Sequence, residues 1–248
     1  MSQSATVHSK LDTNALNAAF EALKTYGPGS SRAALLPMDE AIVACLDDNS
    51  ARKGLERRLV TALNSGGSDV AREYICSKLI LIGTARCVSA LAARLNIPEL
   101  ATAARNALEA IPDRQASEAV RDSLPKVEGL QKLGVINSLG ARRDAQSIRA
   151  LTTLLGNADA AIAGAAAGAL GDIATAKAGK ALCKFLPNAP EAIREKAADA
   201  CLNCAERLMA TGRRADARAL YRLIATATQP NHVQQAATRG LELTAKLR

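Results

Sequence analysis

The sequence predicts an all-α fold, a right-handed α-solenoid built from helix hairpins about 31 residues long. Three features predict it. The first is composition: hydrophobic residues make up 48% of the 248, aromatics only 2%, and tryptophan is absent. Such a core is aliphatic and alanine-rich, which suits helices, because Ala and Leu are the strongest helix formers. The second is an internal period. Leu79, Leu108, Leu139, Leu170 and Cys201 follow one another at steps of 29, 31, 31 and 31 residues. Leu91, Val120, Leu151 and Leu182 keep the same period, as do Leu95, Leu124, Leu155 and Leu186. The third is the stretch AAIAGAAAGALGDI at 160–173, with seven alanines and three glycines where a core helix belongs.

Taken in chain order, residues 1–12 are expected to form a polar, flexible leader, and TYGPGSS at 25–31 a loop inside the first hairpin. Pro37 followed by Asp39 and Glu40 marks a helix start, where acids complement the helix dipole. NSGGSD at 64–69 is a Gly-Ser loop between helices. In 145–155, Ile148, Leu151 and Leu155 share one helical face. GNAD at 156–159 then supplies a Gly stop and an N-cap. In 160–173 the inward stripe is Ile162, Ala165, Ala166, Ala169, Leu170 and Ile173. One unit is therefore a hairpin, and about six or seven of them stack, because a single hairpin cannot bury its apolar face alone. Small residues let helix axes approach closely. Gly164 and Gly168 each cost roughly 1 kcal/mol of helix propensity against Ala, so a packing contact or a close partner is expected to offset them. LPNAP at 186–190 breaks the chain. This divides it into a leader at 1–12, a solenoid at 13–186 and a C-terminal helical extension of the same solenoid at 187–248. In that extension Ala217, Leu220, Tyr221 and Ala225 share a face, and Pro230 opens the last helix.

The pattern IRALTTLLGNAD followed by IAGAAAGALGDIA resembles HEAT-like repeats of the short bacterial, phycobilin-lyase type. In that type the second helix starts with a Val-Arg pair, and here the arginine position holds Arg72, Ala101, Lys132, Ala163 and Arg194. The resemblance covers about 38–205 and is clearest at 70–186. GRRADARALYRLIATATQPNHVQQAATRGLEL resembles a tetratricopeptide-like helix pair. The whole chain also looks like helical-repeat regions of large exported bacterial proteins, where such regions accompany sugar-cleaving or haem-containing domains. That likeness implies an exported protein.

No catalytic motif stands out. There is no G-x-S-x-G, Walker loop or dinucleotide fingerprint. Cys201 and Cys204 form a C-x-x-C, but Cys201 stands at the leucine anchor and Cys204 where Ile82, Ile111 and Ile173 stand, so both are read as core thiols. With no second C-x-x-C and no paired histidines, a zinc site lacks ligands. Cys45, Cys76, Cys87 and Cys183 also fall in helices, and a Cys76–Cys87 bond is open if the protein is exported. His8 and His232 read as surface histidines. No catalytic residue, metal or cofactor is expected.

The net charge of +8 and a pI near 9.4 leave room for an anionic partner. Arg142, Arg143 and Arg149 form one basic cluster, and Arg213, Arg214, Arg218 and Arg222 form a ridge partly at i, i+4 spacing. Six phosphate contacts would give a salt slope near −5 in log K against log salt. Stacking rings for single strands are few: Phe20, Tyr26, Tyr74, Phe185 and Tyr221. The leading expectation is a non-catalytic scaffold that binds another protein, or another domain of a larger one, along the concave face of second helices. Arg105, Asn137, Arg142 and Arg143 are its candidate contact residues. The alternatives are nucleic-acid binding on the arginine ridge, and a lyase-like or accessory subunit of a larger enzyme. A HEAT-like DNA glycosylase would want tryptophan, which is missing. No apolar run approaches the ~20 residues of a membrane span. MSQSATVHSK carries no secretory core, so the compartment turns on whether a leader was removed.

Overall fold

The computed structural model describes residues 12–226 and 231–246. Among them every regular element is helical: fourteen α-helices with short 3-10 turns between. Positions 1–11 of the expected leader, His8 and Pro230 lie outside the described residues. No described helix is long and apolar enough to cross a membrane. The chain divides into two compact units, one up to Ser123 and one from Leu124.

The first unit holds α1 (Thr13–Thr25), α2 (Leu36–Ala44), α3 (Asn49–Asn64), α4 (Asp69–Ile82), α5 (Val88–Ala92), α6 (Pro98–Ala110) and α7 (Arg114–Ser123). Helices α1, α3 and α4 begin where a side chain satisfies free N–H groups, whereas α6 starts on Pro98 with no side-chain cap. The Asp12 carboxylate accepts from Asn14 and Ala15 at 2.9 and 3.1 Å, and Asp48 from Ser50 and Ala51 at 2.8 and 3.0 Å. Ser68 caps α4 through Ala71 N–H, and its hydroxyl donates to the Tyr26 carbonyl. Gly66 and Gly67 carry φ of +99° and +115°, a turn that L-residues resist. The inward faces of α1, α3 and α4 bring Leu16, Leu23, Leu59, Leu63, Ile75 and Leu79 into one core.

Two charged groups lie inside this unit. Lys78, only 8% exposed, reaches Asp39 at 2.6 Å, and the Tyr74 hydroxyl donates to the same carboxylate at 2.8 Å. Asp39 stands in the first turn of α2, as the acid after Pro37 should, but its carboxylate is spent on α4. Burial works against that charge. Lys78, Tyr74 and Arg32 outweigh it and hold the Asp39 carboxyl below its ordinary value. Glu56, 1% exposed, accepts from the Thr84 N–H at 2.7 Å and from its hydroxyl at 2.8 Å. A buried carboxylate on α3 thus holds the turn that leads to α5.

The second unit holds α8 (Gly129–Ala141), α9 (Ile148–Leu154), α10 (Ala160–Ile173), α11 (Ala176–Phe185), α12 (Glu191–Ala210), α13 (Arg214–Thr226) and α14 (Asn231–Lys246). Here α10 is central and meets α8, α9, α11 and α12. Its burial is correspondingly wider than one stripe. Ala163, Gly164, Ala167 and Gly171 are buried along with the expected Ile162, Ala166, Ala169, Leu170 and Ile173, while Ala165 lies at the edge. The close approaches fall on particular glycines. A Cβ on Gly140 would meet the Ala169 Cα at 2.8 Å, and one on Gly171 would meet the Ala200 carbonyl oxygen at 2.7 Å. Gly140 and Gly171 are one 31-residue step apart, as are Ala169 and Ala200, so the α8–α10 contact is repeated as the α10–α12 contact. Gly168, expected to need a close neighbour, has nothing within 4 Å, and Gly164 is covered by the Lys196 stem.

The second helices start at Asp69, Pro98, Gly129, Ala160 and Glu191, the same 29, 31, 31 and 31 steps as the leucine anchors. A further register runs through Thr84, Asp113, Asp144 and Thr175, at the entry of each first helix. Thr84, Asp113 and Thr175 cap through Arg86, Gln115 and Ala178 N–H. The segment expected to be helical over 145–155 is a 3-10 turn at Ala145–Ser147 followed by α9. On α13 the inward face is Ala217, Leu220, Tyr221 and Ile224, with Ala225 half-buried. Gly240 of α14 lies against the flat of the Tyr221 ring, where a Cβ would collide.

Candidate functional site

The helices α8, α10 and α12 follow one another at the 31-residue period, so equivalent residues line up on their outer face. Asn137, Gly168 and Asp199 form one such row, and Asp172 and Asn203 part of the next. Between the three helices runs an open groove of about 630 Å³. Its floor is small: Ala161, Gly164, Ala165, Gly168 and Ala169. Backbone is therefore within reach of anything lying there. Leu133 and Asn137 stand on the α8 side, and Lys196, Asp199 and Asn203 on the α12 side.

The polar rim is organised. Asp172 Oδ1 accepts from Asn203 Nδ2 at 2.9 Å and from Arg207 Nη2 at 3.2 Å, while Arg207 Nε donates to Asn203 Oδ1 at 2.9 Å. Each group holds another, so the donors and acceptors at this end are set in advance of any partner. Asp199 titrates above its ordinary value, first through burial and then through neighbouring Glu195, with His232 opposing. The groove is mixed in charge at its rim and lined by small apolar side chains on its floor, which suits it to polar and backbone contacts.

Of the residues expected to make contacts, Asn137 lies on this groove. Arg142 and Arg143 lie in the turn that ends α8. Arg142 is the half-buried C-cap, its N–H bonded to the Ser138 carbonyl at 2.9 Å. Arg143 is exposed at φ +52°, and its N–H and that of Asp144 close the helix on Gly140 and Leu139. Arg105 belongs to the first unit, on α6. Its side chain is 18% exposed and lies 3.7 Å from Glu109. Its place in the period is that of Cys76, Ile136, Ala167 and Ala198, all buried, and Arg105 is itself half-buried where the expectation had it exposed. On α13, Arg214, Arg218 and Arg222 are exposed one turn apart, and Arg213 pairs with Asp216 at 2.6 Å. Asp172, Lys196, Asp199, Asn203 and Arg207 were not singled out from sequence. Their signal was available: Asp199 stands two periods after Asn137, and Asn203 one period after Asp172.

The cysteines are free thiols, Cys183 half-buried and the rest buried. Burial pushes Cys76 up to about 11 and Cys87 and Cys204 up to about 12, and raises Cys201 further. Among the described residues no group of three or more His, Cys, Asp or Glu is placed to hold a metal ion.

Residues 131–203 match the family model for HEAT repeats. Every residue lining the groove, from Leu133 to Asn203, falls inside this segment, and α13 and α14 follow it. Among solved structures, the CpcE–CpcF complex of phycocyanin lyase from Nostoc sp. PCC7120 is similar at 21% identity, with 87% of this chain and 88% of that chain covered and a TM-score of 0.42. An engineered protein is similar at 20% identity over 84% and 96%, TM-score 0.42. Human deoxyhypusine hydroxylase in complex with glycerol is similar at 14% identity over 94% and 96%, TM-score 0.39. No curated protein matches the sequence.

Proposed function

We propose that this chain is a non-catalytic protein-binding scaffold whose HEAT-like segment takes a partner along the groove that α8, α10 and α12 line, as the concave face of second helices. The observation that carries the reading is the groove itself: three successive helices present equivalent positions over a floor of alanine and glycine. Such a floor admits an extended segment close to the helix backbones, with Asn137, Asp199 and the Asp172–Asn203–Arg207 cluster as fixed polar contacts. The partner is another protein, or another domain of a larger one. Arg142 and Arg143, at the end of α8, flank this face and add positive charge.

The test is a tagged pull-down from nuclease-treated lysate at about 50 and 200 mM salt, the range over which phosphate contacts fall away steeply. Wild type is compared with Gly168→Leu, which fills the groove from a position with open space around it, and with Arg142→Glu/Arg143→Glu. A partner retained at both salt concentrations and lost with Gly168→Leu supports the reading. Partners indifferent to Gly168→Leu reject it. Loss of every partner on nuclease treatment or added salt favours the second reading, nucleic acid on α13, for which the in-line exposed Arg214, Arg218 and Arg222 speak.

A further inference from the structure

The first unit contains a cleft unrelated to the groove. It lies between α1, α3 and α4 and has a volume of about 320 Å³, at the lower end of the range for small-molecule sites. Leu23, Ala71 and Ile75 form its apolar floor, and Phe20 and Ala62 its walls. Arg58 lines it too. This guanidinium stacks on the Phe20 ring at 4.0 Å and donates through Nη2 to Asn17 Oδ1 at 2.8 Å. Both contacts orient it and neither neutralises it. Among the described residues no carboxylate pairs with Arg58 or with its neighbour Arg57.

The nearby acids are committed elsewhere. Glu21 holds Lys24 at 2.6 Å, and Glu56, two residues before Arg58 on α3, is turned inward to Thr84. Positions 1–11 contain no Asp or Glu, so the leader brings no carboxylate either. Burial lowers the Arg58 guanidinium from its ordinary value, which marks a cation partly stripped of water without a counter-ion to offset the loss. Arg58, with Arg57 and the Glu21-paired Lys24 also lining the cleft, gives its apolar floor a cationic wall, complementary to a small anion with an apolar tail.

We propose that this cleft binds a small amphipathic carboxylate, its apolar tail on Leu23, Ala71 and Ile75 and its head on Arg58, with Arg57 at the rim. The volume holds roughly ten water-sized volumes of ~30 Å³, which suits a tail of about eight to ten carbons. The head group takes the Arg58 fork as a charge-assisted pair, stronger than a neutral hydrogen bond and selective for a planar anion.

The probe is sub-micellar decanoate, titrated into the full chain by calorimetry, with decanol and acetate as controls. Decanoate is expected to saturate at one site per chain. Decanol, with the tail but no charge, should bind about ten-fold more weakly, and acetate should not saturate. Arg58→Met should weaken decanoate about ten-fold and bring it level with decanol, while Arg58→Lys retains part of the preference. Ala62→Leu, at a half-buried wall position, fills the cleft and should abolish binding with helicity intact. Absence of saturable decanoate binding overturns the proposal. So does equal binding of decanoate and decanol by wild type, or decanoate affinity unchanged in Arg58→Met or Ala62→Leu.

Discussion

Gly168 and Gly171 lie one turn apart on α10, yet Gly→Ala at the two positions should move stability in opposite directions. In each case alanine gains up to about 1 kcal/mol of helix propensity. At Gly168 nothing stands within 4 Å of the new methyl, so that gain is kept. At Gly171 the methyl would sit 2.7 Å from the Ala200 carbonyl oxygen and 3.1 Å from its Cα. Ordinary carbon contacts are about 3.5–4.0 Å, so α10 and α12 must part by roughly 0.5–1 Å. Both obstructing atoms are backbone and no rotamer change relieves them. Overpacking of this sort costs about 1–3 kcal/mol, and with both obstructing atoms in the backbone the cost falls in the upper part of that range, which leaves a net loss of up to about 2 kcal/mol. For a chain of this size 1 kcal/mol is about 2–4 °C in Tm. Thermal and urea unfolding followed by circular dichroism should show Gly168→Ala melting about 1–4 °C higher than wild type and Gly171→Ala several degrees lower. If both substitutions shift Tm the same way, the assignment of the close approach to Gly171 is wrong.

Other outcomes follow from the buried polar groups and the thiols. Asp39→Asn strips the counter-ion from a Lys78 that is 8% exposed and should cost about 2–3 kcal/mol, somewhat under the figure for a fully buried pair because Asp39 itself is partly open. Because the Asp39 carboxyl is held low, its contribution is present above its unfolded value and lost as pH falls through the folded one; urea melts between about pH 6 and pH 3 should be less pH-dependent in Asp39→Asn than in wild type. Glu56→Ala leaves the Thr84 N–H without its acceptor and should cost about 1–3 kcal/mol in the same melts, whereas a loss under 0.5 kcal/mol, roughly the level of a surface change, would count against a structural role for this carboxylate. Arg143→Gly relieves an L-residue at φ +52° and should stabilise by about 1 kcal/mol, so any weakening of partner binding in that variant reports the side chain and not the fold. In native protein, a thiol reagent at neutral pH should modify Cys183 first, with Cys76, Cys87, Cys201 and Cys204 reacting only on unfolding; early reaction at Cys201 would contradict its burial.

The register of the helices was readable before any coordinates. Leucine anchors, Gly stops and Asp or Ser caps act within one or two turns of the chain, and the second helices begin at the steps those anchors predict. Cys201 and Cys204 were legible as core residues for the same reason, since their places in the period belong to Leu and Ile elsewhere. Asn137 was legible as an outward position by the same rule. Arg105 was not, because its charge outweighed its register: the positions equivalent to it are buried in every other helix of the series.

What the sequence alone determined is local and periodic: an all-helical chain, where its helices start, which face of each turns inward, and a 31-residue step that puts Asn137, Gly168 and Asp199 in one row. Only the tertiary structure decided which glycine carries the backbone contact, that Asp39 serves Lys78 instead of its own helix end, that Asp172, Asn203 and Arg207 bind one another, and that Arg58 faces an apolar cleft without a counter-ion. Those facts depend on which atoms of one helix meet another some 30 residues or more away in the chain. Helix periodicity gives a side chain its direction; the neighbour it finds there is set by how closely the next helix packs.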